Sequence, residues 1–330
     1  MESTGIQVAF FQHIKNLLPE HVSQVDAIAD ILNISNDSAY RRIRGEKPIG
    51  LDEMQKLASH FKISIDQFFH LQSDSYIFSG ELPSSGENAF EKWMENVLRN
   101  LTFINSFTHK YLYYLAKDVP IMDLFMVPEL MAFKSFLWRR SILQYENMKG
   151  MKFSVEEASS QHLEMGKKIE DIYIKIPTTE IWNLECINST IRQIEFYREA
   201  DMFKSEEDVK KVYLALLTLI NHIELQAESG LKFRVGESPG AGATAYNLFW
   251  NDLVTADNTV LVEFDLKKAT FLNHSVLNFI STNDIRFNTF MHGHMQNLIK
   301  RSTPLSKVGE KDRYRFFNNL RDKIKLAASH

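Results

Sequence analysis

Three guanidinium groups fall close together at Arg41, Arg42 and Arg44. Beside them stand the amide of Asn36, the carboxylate of Asp37, the phenol of Tyr40 and the ammonium of Lys47. An arginine fork donates to two acceptors at once, so it fits O6/N7 of guanine, and an asparagine amide fits N6/N7 of adenine. The chemistry this set could do is recognition of duplex base edges rather than bond making. Arg42 and Lys47 read as phosphate clamps, which position without specifying, and Gln24 as a further phosphate contact. The same cluster on an isolated helix would be an ordinary solvated face, so the elements around it decide.

Those elements read as five short helices. The first covers about Gly5 to Leu18, with Phe10, Ile14 and Leu17 at helical spacing and Pro19 ending it. Ser23 caps a second, whose apolar face is Val25, Ile28, Ala29 and Leu32. Asn33 then tolerates positive φ, Ile34 plugs the corner, and Ser35 caps a third helix over about Asn36 to Arg44. Ala39 and Ile43 face inward. That leaves Ser35, Asn36, Asp37, Tyr40, Arg41 and Arg44 outward, and Gly45 closes the helix. A fourth helix carries Met54, Leu57, Ala58 and Phe61, and Ser64 opens a short fifth around Phe68.

From Val25 to Phe69, VDAIADILNISNDSAYRRIRGEKPIGLDEMQKLASHFKISIDQFF resembles the DNA-binding domain of Cro/phage-repressor-type (XRE-like) regulators. The likeness covers about residues 5–75. Ala29 matches the family's small residue, Asn33 its turn position and Ser35 the serine that opens its recognition helix. The family places an aliphatic residue where Arg42 stands, and here Ile43 takes that role. The resemblance implies a recognition helix in the major groove of double-stranded DNA, read by Ser35, Asn36, Asp37, Tyr40, Arg41 and Arg44. Residues 1–75 hold seven Lys/Arg and ten Asp/Glu. An acidic module of this kind predicts modest non-specific affinity and a shallow salt dependence.

The 330 residues are too many for that module alone. Residues 72–88 are Ser- and Gly-rich and read as a boundary, giving domains at 1–75 and 89–330 with a linker at 76–88. Net charge is −4 and hydrophobic content 44%, which suits a real core and excludes a globally basic nucleic-acid binder. No apolar run reaches membrane-span length and no leader-like opening stands out, so a cytoplasmic protein is expected. The single cysteine, Cys186, excludes an internal disulfide and reads as an inert buried thiol.

The expected fold is mainly α: the helix-turn-helix head, then a larger helical domain with a small antiparallel β segment at about 231–280. Phe90 through Ile104 trace one helical stripe. Pro128 precedes another, Ser154 with Glu157 suggests a capping box for a third, and Pro177 precedes a helix holding Ile181, Leu184, Ile191 and Ile194. Ser205 opens one more. His109 and Tyr111–Tyr114 read as an aromatic core or groove wall. ATAYNLFWNDLV and NTVLVEF read as two strands joined across Thr255–Asn258, and two helices at about 283–302 and 309–327 close the chain.

The remaining chemistry is sparse. GESPGAGA (236–243) lacks the ending of a phosphate-binding loop and reads as a connection. His292 and His294 lack a partner at metal spacing and read as a helix-surface pair. Residues 300–325 are basic, nine Lys/Arg against three Asp/Glu, and read as a solvated helix face. No catalytic constellation, metal or cofactor site is expected. The expected protein is a sequence-specific transcription regulator, paired as a homodimer, whose larger domain dimerises, senses a ligand or partner such as a small molecule or peptide, or does both. A scaffold that no longer reads DNA, and an enzyme domain fused to a DNA-binding head, are the rival readings.

Overall fold

A computed structural model of the chain describes residues 3–18, 22–61, 63–68, 76–80, 88–253 and 257–329. Pro19, Lys62, Thr255 and most of the 72–88 stretch lie outside them. The chain forms two compact units, residues 1–77 and 78–330.

The first unit is five helices: α1 (Ser3–Leu17), α2 (Gln24–Leu32), α3 (Asn36–Ile43), α4 (Leu51–Phe61) and α5 (Ile65–Phe68). Its core is Phe10, Phe11 and Ile14 of α1 against Ile28, Ala29 and Leu32 of α2, with Ala39 and Leu57 closing it. Each large apolar side chain so buried contributes roughly 1.5–3 kcal/mol before the entropy of ordering it. Phe68 of α5 meets Phe10 edge-on at 5.2 Å.

The second unit corrects the expected fold class. The sheet is a substantial mixed one of seven strands, in the order β6-β5-β4-β1-β2-β3-β7. Its strands are β1 (Lys110–Leu115), β2 (Thr178–Trp182), β3 (Tyr246–Trp250), β4 (Thr259–Phe264), β5 (Lys267–Asn273), β6 (Phe279–Thr282) and β7 (Thr303–Pro304). β1, β2 and β3 run parallel and the other pairings are antiparallel. The helices are α6 (Ala89–Asn105), α7 (Pro128–Leu137), α8 (Ser160–Tyr173), α9 (Asn188–Glu199), α10 (Glu206–Ser229), α11 (Ile285–Lys300) and α12 (Glu310–Ala328).

Several expected elements move. Ile181 lies in β2, not in a helix. That strand is buried at every residue, so it carries no polar alternation to mark it. The run Tyr111–Tyr114 is β1. The two strands read as joined across Thr255–Asn258 do not pair with each other, because β1 and β2 stand between them. Ser154 opens only a short 3-10 turn, and Ser159 caps α8 instead, accepting from the amide of His162. Ser205 does cap α10, with Gly230 at φ 68° ending it.

Strand alternation divides the sheet between two layers. Leu112, Tyr114, Trp182, Tyr246 and Leu248 join the main core with α6–α10 and α12. Leu115, Ile181 and Leu261 face Met295 and Leu298 of α11.

The main core also encloses charge. Glu180 of β2 is fully buried and accepts from Tyr173 Oη (2.7 Å), Tyr246 Oη (2.8 Å) and Trp182 Nε1 (2.8 Å). Lys232 lies 3.2 Å above the Tyr173 ring and donates to Thr178 Oγ1 at 2.7 Å. Burial pulls its ammonium down to about 7 against the pull of Glu180 and Asp123. Asp123 is buried without a hydrogen-bond partner among the described residues, and burial pushes its carboxyl well up.

Candidate nucleic-acid interface

The bend between α2 and α3 is built from three residues. Asn33 sits at φ 55°, ψ 54°, the left-handed region that asparagine tolerates. Ile34 is half-buried against the head core, and Ser35 accepts the amide of Ser38 at 3.3 Å, capping α3. Small Ala29 and Ala39, both buried, face the junction and let the helices cross closely. At the far end, Gly45 at φ 77° terminates α3 in a Schellman motif: Glu46 N donates to Arg41 O and Gly45 N to Arg42 O.

This frame leaves Ser35, Asn36, Asp37, Tyr40, Arg41 and Arg44 exposed. Arg44 lies 5.6 Å over the Tyr40 ring and donates to its hydroxyl at 3.2 Å. Both Arg41 and Arg44 lie near Glu46, at 3.9 and 3.4 Å. With side chains more than half exposed, such pairs contribute little and exchange readily. Asn36 donates to Asp26 of α2 at 2.9 Å. Lys47 is exposed just beyond the helix.

Two of the residues read from sequence as phosphate contacts are committed elsewhere. Arg42 is not a clamp but an internal brace, 6% exposed. Its fork holds both carboxylate oxygens of Glu53 on α4, at 2.9 and 2.7 Å, and it also bonds Ser38. That bond holds the Glu53 carboxyl below its usual range. Arg42 thus occupies the inward position, and Ile43 is only half-buried beside it. Gln24 turns its amide back to the carbonyl of Phe11 at 2.6 Å.

One positioning residue escaped the sequence reading. Gln7 of α1 donates to the carbonyls of Arg42 and Lys47, both at 2.7 Å, and accepts the amide of Ile49 at 3.0 Å. It ties the loop after α3 to α1. The signal was a lone glutamine beside an otherwise apolar helical stripe.

His292 of α11 faces Glu263 at 3.4 Å, and His294 stacks on Phe290. No group of His, Cys, Asp or Glu among the described residues could hold a metal ion. In the basic tail, Arg313 is buried on the carbonyl of Leu305, Arg321 pairs with Glu224 and Lys323 with Glu185, while the other six Lys/Arg of residues 300–325 are exposed. Cys186 is fully buried, which pushes its thiol up. Among the described residues no helix is long and apolar enough to cross a membrane.

Bend, capped outward helix and arginine-bearing face together define a helix-turn-helix unit. Residues 8–84 match the BetR domain, a helix-turn-helix-type DNA-binding domain family. No curated protein and no solved structure matches the chain.

Proposed function

We propose that the chain is a sequence-specific transcription regulator that lays α3 in the major groove of double-stranded DNA, in the manner of repressor-type (XRE-like) heads. The observation that carries this reading is the division of labour on α3. Arg42 is locked inward on Glu53, while Arg41, Arg44, Tyr40 and Asn36 stand outward from a helix fixed at both ends. Base readout needs this combination of rigid support and solvent-facing donors whose surface pairs exchange readily. Arg41 and Arg44 read base edges. Lys47 and the amide end of α3, opened by Ser35, meet phosphates.

A head with so few cationic groups binds weakly alone. Pairing two heads on half-sites about 34–36 Å apart supplies the missing affinity. The larger unit is the natural site of that homodimer contact and of effector sensing in the cytoplasm. It has no role as an enzyme in this reading.

Electrophoretic mobility shift of the full chain against a genomic fragment library tests it. Arg41→Ala and Arg44→Ala should each weaken the selected site by roughly 10–100-fold, from about 1–3 kcal/mol per base contact. A shift unaffected by the double variant overturns the assignment. It would favour a scaffold, a reading the acidic head and the Glu46 and Asp26 contacts also support.

A further inference from the structure

A pocket of about 240 Å³ opens between α7, the segment that extends it, and α8. Small-molecule sites run to roughly 300–1,000 Å³, so this one suits a ligand below drug size. Its apolar wall includes Phe136, Met148, Phe153 and Leu163. The extension of α7, Trp138–Ile142, is a π-helical turn. Such wide turns recur at functional sites because they re-aim side chains, and this one carries Arg139 to the pocket.

Most polar side chains of the lining already have partners. Ser135 Oγ donates to the carbonyl of Met131, Lys152 pairs with Asp201, Ser154 with Asp208 and Glu157 with Lys204. Two groups do not balance. Arg139 donates Nε to the carbonyl of Ser135 at 3.3 Å, and among the described residues no acceptor meets its two terminal nitrogens. His162 is 4% exposed, and its Nε2 lies 2.7 Å from Glu91 Oε1. Its Nδ1 is buried without a partner among the described residues. A carboxylate on Nε2 fixes the proton there, so Nδ1 presents a lone pair, and burial keeps the ring from taking a second proton. A buried acceptor without a partner costs free energy unless a ligand meets it, and beside it Arg139, only partly buried, keeps an unspent guanidinium fork.

We propose that this pocket binds a small monocarboxylate carrying a hydroxyl and an apolar body. The carboxylate pairs with the terminal nitrogens of Arg139, the hydroxyl donates to His162 Nδ1, and the hydrocarbon lies on Phe136, Met148 and Phe153. Arg139 supplies one cation and Glu91 already acts on it as a carboxylate, so a phosphate dianion is disfavoured. The inference concerns binding alone and does not depend on what the head reads.

Titration calorimetry of the full chain at neutral pH, with 2-hydroxyhexanoate and its neutral amide as probes, tests it. The acid should saturate the protein and the amide should bind roughly tenfold more weakly, the difference a charge-assisted fork makes. Arg139→Gln should abolish that preference. If that variant does not fold, acid against amide on the unaltered chain decides alone. Equal binding of the two probes, or no saturation by either at about 10 mM, overturns the proposal.

Discussion

Among the described residues, the head buries one charged side chain, Arg42, whereas the larger unit buries several, among them Asp123, Lys134, Glu180 and Lys232. The partners differ in kind as well as number. Arg42 is met by Glu53 from the next helix and Ser38 from its own. Glu180 is met by Tyr173 and Trp182 nearby in sequence and also by Tyr246, 66 residues on, and Lys232 is met by Thr178, 54 residues back. The head therefore satisfies its buried charge within one short stretch of chain, and the larger unit adds partners that only its topology brings close. Loss of one charge should loosen a corner of the head but undermine the whole sheet-bearing core.

The largest expected effect follows from Glu180. Glu180→Ala strands three buried donors, Tyr173, Tyr246 and Trp182, beside Lys232. Removing one partner from such a network costs about 3–5 kcal/mol. Denaturant unfolding followed by tryptophan fluorescence measures it on the larger unit's transition. A loss under about 1 kcal/mol would mean that the network does not hold the strands, and the contrast with the head would disappear.

Arg42 gives the next effect. Arg42→Ala leaves Glu53 without its fork, but that carboxylate keeps about a quarter of its surface in water. The expected cost is about 1–3 kcal/mol, confined to the head's transition in calorimetry of the full chain. Arg42→Met retains the packed stem and should recover much of it. If Arg42→Ala instead leaves stability intact and abolishes the DNA shift, the arginine is a contact residue after all.

The same contrast explains what the sequence disclosed. The bend at Asn33, the caps Ser23 and Ser35, and the stop at Gly45 each solve a backbone problem within a few residues. Residue type alone therefore revealed them. Arg42 misled because charge was taken for exposure. Its inward phase and the acidic Glu53 in the following helix were the available counter-signals. In the larger unit, α6 and α10 have long apolar stripes and were legible. Strands β1 and β2 were not: Tyr111–Tyr114 reads equally as aromatic core, and Thr178–Trp182, buried on both faces, lacks alternation. β3 and β4 looked like strands, but nothing local says that two others lie between them. The pocket at Arg139 depends on a π-helical turn, which periodicity cannot separate from the end of an α-helix.

The smallest effect sharpens the comparison through pH, because Glu53 of the head and Glu170 of the larger unit are held in opposite ways. In the head, the hydrogen bond from Arg42 lowers Glu53, with burial opposing. A depressed folded value gives stability that is present above the unfolded value, near 4.3, and is lost as pH falls through the folded one. In the larger unit, burial raises Glu170 to about 7, with Arg234 opposing. A raised folded value gives the reverse: the contribution is complete below the unfolded value and is lost as pH rises through about 7. Acid should therefore weaken the head, while the approach to pH 8 should weaken the larger unit. Glu170→Gln removes the second dependence only. Its advantage over the natural chain should grow between pH 5 and pH 8 to on the order of 1 kcal/mol, read from the larger unit's melting at each pH. Superimposable profiles for the two proteins would mean that Glu170 ionises freely in the fold. The burial that separates it from Glu53 would then have no energetic consequence.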